Sequence, residues 1–147
     1  MRAVMGGTFA YLHKGHRKLL SKAFSIGDYV YIGLTTDKYA IKNKKVLIEP
    51  YVKRRSTITE FVKKFGKKFD VKPLHDMYGP STKGKFDIIV VTKETARIAK
   101  EINRIRKKKR LKKLRIIVVN YAMAYDRRRI SSHRIYRKEI DSNGRKL

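Results

Sequence analysis

The chain is 147 residues long and carries 39 Lys plus Arg against 12 Asp plus Glu, a formal net charge of +27. That length supports one domain with a hydrophobic core and falls short of two. With no cysteine, disulfides, thiolate metal sites and thiol nucleophiles are excluded, and no apolar run approaches the ~20 residues of a membrane span. A cytoplasmic protein is therefore expected, with polyanionic ligands favoured by the charge.

The first strand signal is Ala3-Val4-Met5, which runs into Gly6, Gly7 and Thr8. Two histidines follow, His13 and His16, with Gly15 between them, and then an amphipathic helix that should stop near Gly27. Glycines after a strand let backbone N–H groups approach a ligand, and a helix N-terminus favours negative charge. Imidazoles beside such a turn can donate hydrogen bonds to phosphoryl oxygens. On the helical stripe shared with Leu19, Leu20, Ala23 and Phe24, a lone His16 reads as core; paired with His13 after GGTF it reads as functional. Neither a Walker A loop nor a GxGxxG fingerprint is present.

Asp28 to Leu34 reads as a buried strand and completes a βαβ unit. Thr35, Thr36 and Asp37 then fall at a strand's C-terminal end, where open parallel sheets make ligand contacts. Lys38 to Glu49 reads as a loop with Lys38, Lys42, Lys44 and Lys45, of which Lys42 or Lys44 is expected to touch phosphate.

A second helix is expected over Lys53 to Phe65, with Ile58, Phe61, Val62 and Phe65 facing the core. Arg54 and Arg55 occupy its first turn, where the helix dipole disfavours cations, so a structural ion pair is expected there. Gly66 stops the helix. Phe69 to Leu74 reads as a strand placed at the sheet edge by Pro73. His75 to Lys85 is a loop that could cover a ligand pocket, and Phe86 to Thr92 is the most apolar strand, expected centrally.

The next helix starts at Thr95, a candidate N-cap, with Ile98, Ala99, Ile102 and Ile105 facing inward. Arg106 to Arg110 reads RKKKR, followed by Lys112, Lys113 and Arg115. No aromatic interleaves this run, so a nucleic-acid role is possible but not favoured. Leu114 to Val119 is the last strand. Ser131 and Ser132 then open a helix beside Arg127, Arg128 and Arg129, where they can cap it and offer donors to phosphate. Asp141 to Leu147 reads as a frayed tail.

GGTFAYLHKGHRKLL and ISSHRI resemble the two signature motifs of the HxGH nucleotidyltransferase superfamily. GDYVYIGLTTDKY, the NKK loop, PYVKR and VVTKETA are in turn similar to the archaeal type of phosphopantetheine adenylyltransferase, over nearly the whole chain. The resemblance implies an α/β, Rossmann-like parallel sheet of about five strands in the order 3-2-1-4-5, with helices on both faces. It implies transfer of the adenylyl group of ATP to 4′-phosphopantetheine, as in coenzyme A biosynthesis.

By motif position, Thr8 would orient the acceptor phosphate and His16 would contact the α-phosphoryl group. His13 and the backbone around Gly7 and Phe9 would hold the triphosphate, with Ser131 and Ser132 on its β- and γ-phosphates. Lys42 or Lys44 would neutralise the transferring group, and Thr36 would join them at the acceptor. Mg²⁺ would be bound mainly through ATP phosphates, without a protein cage for it. A monomer is favoured. Ala10 stands where the family commonly has Asp, so a hydrogen bond supporting that loop is missing or replaced. His133 stands where Ser or Thr is common. The bacterial relatives' arginine segment is absent, leaving Arg128, Arg134 or Arg137 as candidates to clamp the triphosphate. Other acceptors (FMN, nicotinamide mononucleotide, glycerol 3-phosphate), or a basic nucleic-acid-binding protein on this scaffold, remain as alternatives.

Overall fold

The computed structural model describes residues 1–43 and 47–147. Five strands, β1 (Arg2–Gly7), β2 (Tyr29–Thr35), β3 (Lys68–Leu74), β4 (Ile88–Thr92) and β5 (Arg115–Val119), form one sheet in the order β3-β2-β1-β4-β5. All four pairings are parallel. This is the expected 3-2-1-4-5 order, with β1 in the middle and β4 inside the β5 edge. Pro73 is tolerated because β3 pairs with a neighbour on one side only.

The two faces follow from the period of two along each strand. Ala3 and Met5 of β1, Ile88 and Val90 of β4, and Val30, Ile32 and Leu34 of β2 belong to one core. That core also receives Leu20, Ala23 and Phe24 of α1 (Lys14–Ile26) and Ile58 and Val62 of α3 (Tyr51–Val62). The alternate residues, Val4, Ile89 and Val91, face Ala99 and Ile102 of α4 (Ala96–Lys108). Helices thus cover both faces, and every strand's C-terminal end meets one rim.

Several details depart from the expected reading. Asp37–Asn43 is a helix, α2, where a loop was expected; Thr36 initiates it by accepting the Tyr39 N–H on Oγ1, and Asp37 lies favourably in its first turn. The second expected helix begins at Tyr51 and gives way to a 3₁₀ turn at Lys63–Phe65, ended by Gly66 in the left-handed region. Within α4, Asn103 and Arg106 are buried although both are polar. Asn103 bonds both the N–H and the C=O of Leu114, while Arg106 donates to the carbonyls of Ser81, Gly84 and Lys112. One member of the RKKKR run is therefore a structural tie. Burial pushes its guanidinium pKa down.

The C-terminal residues, expected to fray, are anchored. Ile140 is fully buried with Ala122, Ala124 and Ile130. Asp141 accepts N–H bonds from Asn143 and Arg145, and the Ser142 carbonyl receives the Lys14 N–H at the start of α1. Among the described residues, no helix is long and apolar enough to cross a membrane.

Candidate active site

His13 is the N-cap of α1. Its Nδ1 accepts the N–H groups of Gly15 and His16, at 3.0 and 3.3 Å, and the His16 Nδ1 accepts the His13 N–H at 3.3 Å. The two rings stack with centroids 3.6 Å apart. This is a capping box built from imidazoles, satisfying orphan N–H donors that Ser and Glu satisfy elsewhere. Because each Nδ1 is an acceptor, each neutral ring carries its proton on Nε2. Gly15 allows the arrangement, since a Cβ there would lie 2.9 Å from the His13 ring.

The remaining first-turn amides of α1 are also occupied, Lys14 N–H by the Ser142 carbonyl and Arg17 N–H by that of His13. With these amides satisfied, the N-terminus of α1 carries imidazole rings in place of open backbone N–H groups. The rings act at the positive pole of a 13-residue helix.

Both histidines line a cavity of about 490 Å³ closed by Thr92, Glu94, Val119 to Ala122, and Arg129 to His133. Ser131 caps α5 (Ser132–Tyr136), accepting the Arg134 N–H on Oγ. The Ser132 hydroxyl is buried and donates to the Ala10 carbonyl at 2.5 Å. This bond holds the backbone of the loop at Ala10. Tyr11 adds to it, donating its N–H to Glu49 and its hydroxyl to the Leu47 carbonyl. Phe9 and Tyr11 both stand at φ 50° in this loop.

Arg134 is not placed as a triphosphate clamp. Its guanidinium is held by both oxygens of Asp126, by Glu139 and by the carbonyls of Arg128 and Arg129. Burial would raise the Asp126 pKa, but hydrogen bonds from Arg134 and Arg128 outweigh it and hold that carboxyl at about 2. The arginine in the cavity wall is Arg129, which lies 3.8 Å over the Tyr121 ring and 3.2 Å from the Glu94 carboxylate.

A second cavity, about 240 Å³, opens on the α4 face of the sheet. Gly7 and Thr8 line it, and Val4, Leu74, Met77, Ile98 and Ile102 are among its apolar walls. The loop expected to cover a pocket does so through Met77, Tyr78, Pro80 and Ser81. Thr35 lines this cavity; Thr36, expected at the acceptor, caps α2 and stands outside the lining. Lys42 is exposed on the last turn of α2 and is likewise not brought to the cavity wall. Lys44 lies outside the described residues.

Residues 8 to 16, a loop and the first turn of α1, join the two cavities. Thr8 faces the apolar one, the next residue, Phe9, is buried with its ring 5.3 Å from that of His16, and His16 faces the polar one. Behind Thr8 lies a residue that sequence reasoning took only for an ion-pair partner. Arg54, fully buried, donates to the carbonyls of Glu49 and Thr8, to Thr35 Oγ1 and to Asp37. Its place on the unfavourable first turn of α3 was the available signal.

A cytidylyltransferase-like family model matches residues 4–138. A phosphopantetheine adenylyltransferase of Methanosarcina mazei is 47% identical, across 98% of this chain and 96% of its own. The chain belongs to the phosphopantetheine adenylyltransferase family. The enzyme of that name from Methanopyrus kandleri is 40% identical, covering 95% of this chain and 90% of its own. A crystal structure from Archaeoglobus fulgidus, described as a protein with unknown function, superposes with a TM-score of 0.73 at 31% identity, over 82% of this chain and 99% of that one. Family membership, the sheet order and the site at the strand ends agree with one another.

Proposed function

We propose that this chain, in the cytoplasm, transfers the adenylyl group of ATP to 4′-phosphopantetheine, yielding dephospho-coenzyme A and pyrophosphate. The observation that carries this reading is the pairing of unlike cavities across one loop. A mainly apolar cavity with Thr8 in its lining suits a slender acceptor with a terminal phosphate. A larger and more polar cavity, with His13, His16, Ser131 and Arg129 in its wall, suits a nucleoside triphosphate.

In the proposed step, an oxygen of the acceptor phosphate attacks the α-phosphorus of ATP while the bond to the bridging α–β oxygen breaks. Pyrophosphate leaves with that electron pair. The acceptor is already an anion, so no general base is needed, and catalysis consists of alignment plus charge stabilisation. The Thr8 hydroxyl fixes the incoming phosphate; the His16 Nε2–H meets charge growing on the α-phosphoryl oxygens; His13, Ser131 and Arg129 hold the departing phosphates. Lys42 or Lys44 at the transferring group remains part of this proposal.

The donor set fits a magnesium ion that arrives with ATP. Glu94 is the carboxylate in the more polar cavity's wall, and the ion would be held mainly through the ATP phosphates. Bound there, the ion would neutralise part of the pyrophosphate charge. A monomer is part of the same proposal. Pyrophosphate release, measured with ATP or CTP and each candidate acceptor, tests the reading. Release with ATP and 4′-phosphopantetheine, slowed by on the order of 10²-fold in His16→Ala, supports it; release with another pair moves the acceptor or the base.

A further inference from the structure

Arg54 is a fully buried cation. Taking a guanidinium out of water is expensive unless its donors are satisfied, and the carboxylate opposite, Asp37, is half exposed. What the guanidinium does there is visible in its acceptors. Nε bonds the Glu49 carbonyl at 2.8 Å, Nη2 bonds Asp37 at 2.7 Å, and Nη1 bonds the Thr8 carbonyl at 3.0 Å and Thr35 Oγ1 at 3.4 Å. One planar fork thus ties together the ends of β1 and β2, the start of α2 and the loop before α3. A flexible ammonium has no equivalent geometry.

The fourth of these bonds fixes a proton. Arg54 has donors only, so Thr35 Oγ1 must accept from it. The Thr35 proton is then directed to Thr8 Oγ1, 3.0 Å away. Thr8 Oγ1, having accepted that proton, turns its own away from Thr35, and both threonines line the apolar cavity. The geometry points to a relay, Arg54 to Thr35 to Thr8, that sets Thr8 as a hydrogen-bond donor toward the phosphate-bearing end of the acceptor. Arg54 and Thr35 are positioning residues in this scheme; Thr8 makes the contact. The scheme rests on the reading of Thr8 given under Proposed function, although it requires only that the acceptor end in a phosphate.

Steady-state kinetics of Thr35→Val, Thr35→Ser, Thr8→Val and the double valine variant test it. Thr35→Val keeps shape and volume but neither accepts from Arg54 nor donates to Thr8. It should raise the acceptor KM roughly tenfold, the loss of one hydrogen bond to a charged group, with the ATP KM unchanged. Thr35→Ser should restore it, and the double variant should match Thr8→Val alone because Thr35 acts through Thr8. Arg54→Lys should reproduce the acceptor-specific defect. A Thr35→Val enzyme with the wild-type acceptor KM, or a double variant in which the two losses multiply, would overturn the relay. Titration with inorganic phosphate reads the same donor without turnover: equal weakening in Thr8→Val and Thr35→Val is expected, and unchanged affinity in Thr35→Val refutes the scheme. A wild-type protein that releases no pyrophosphate with 4′-phosphopantetheine sinks the acceptor assignment, and the phosphate titration still decides the relay. Thr35→Ala substitutes where the valine does not fold.

Discussion

Ser132 donates its hydroxyl proton to the carbonyl of Ala10, 122 residues earlier in the chain. The two signature motifs are thereby joined by a buried bond, and Ser131 and Ser132, alike in sequence, have different work. Ser132→Ala should leave the Ala10 carbonyl unsatisfied and lower stability by about 1–3 kcal/mol. Ser131→Ala removes an N-cap and should lower stability by ~1 kcal/mol, and in addition raise the ATP KM. Thermal melts and steady-state kinetics on the two variants check this. A Ser132→Ala enzyme of wild-type stability with a large ATP KM would reverse the assignment.

The imidazole capping box separates two roles of His13 that one substitution would confuse. His13→Ala should lower both stability and turnover. Asn is also a good N-cap acceptor but has no Nε2–H to present, so His13→Asn should recover most of the melting temperature and little of the turnover. His16→Ala should reduce kcat by on the order of 10²-fold with the ATP KM little changed, as for a contact made mainly in the transition state. A His16 variant with wild-type kcat and a raised KM would make His16 a ground-state binder.

The exchange of Arg134 for Arg129 as the cavity arginine gives a paired test. Arg134→Met should destabilise the 122–140 segment and leave the ATP KM of the folded enzyme close to wild type. Arg129→Met should do the opposite, raising the ATP KM with a small effect on melting, because Arg129 is half exposed and its carboxylate partner Glu94 more so. Nucleotide titration of both variants would show which guanidinium meets the triphosphate.

Asp126 adds a pH signature. Its folded-state carboxyl sits at about 2, below the ~3.9 of an unfolded chain. A depressed pKa contributes stability that is fully present above about pH 4 and is lost as the pH falls through about 2. Asp126→Asn should therefore be less stable than wild type at pH 6, and the gap should narrow between about pH 4 and 2. A gap that stays constant over that window would mean that the Arg134 pair does not contribute through charge.

The order of the parallel sheet followed from the family resemblance, whereas the strands themselves were legible as apolar, β-branched runs of strand length, of which β1, β2 and β4 end at glycine or threonine. The catalytic loop was legible because two histidines flanking a glycine have few other uses. The α2 helix was missed because DKYAIKN is short and basic, and its stability comes from a Thr36 cap and the Asp37 pair with Arg54, residues judged separately in the sequence. Thr35 and Thr36 could not be told apart before the strand end was known. The serines showed capping chemistry, but only the fold shows that Ala10 stands within reach of one of them. Arg129 and Arg134 are similar in composition and differ in which acid each finds.

The C-terminus gives the sharpest case of a mistaken local reading, since DSNGRKL is polar up to its final leucine and carries the marks of a loose end. What holds it is Ile140, fully buried against Ala122, Ala124 and Ile130, together with a turn in which Gly144 stands at φ +80°. A Cβ at that glycine would come within 2.9 Å of the Ala124 Cα and 2.7 Å of Ile130. Because the Ser142 carbonyl receives the Lys14 N–H and Asn143 receives Arg17, this turn braces the first turn of α1 and with it the histidine pair. Ile140→Ala should lower stability by about 2–5 kcal/mol, and Gly144→Ala should also destabilise. Removal of residues 141–147 should reduce kcat as well as the melting temperature. A truncated enzyme with full turnover and unchanged melting would return the segment to a passive tail.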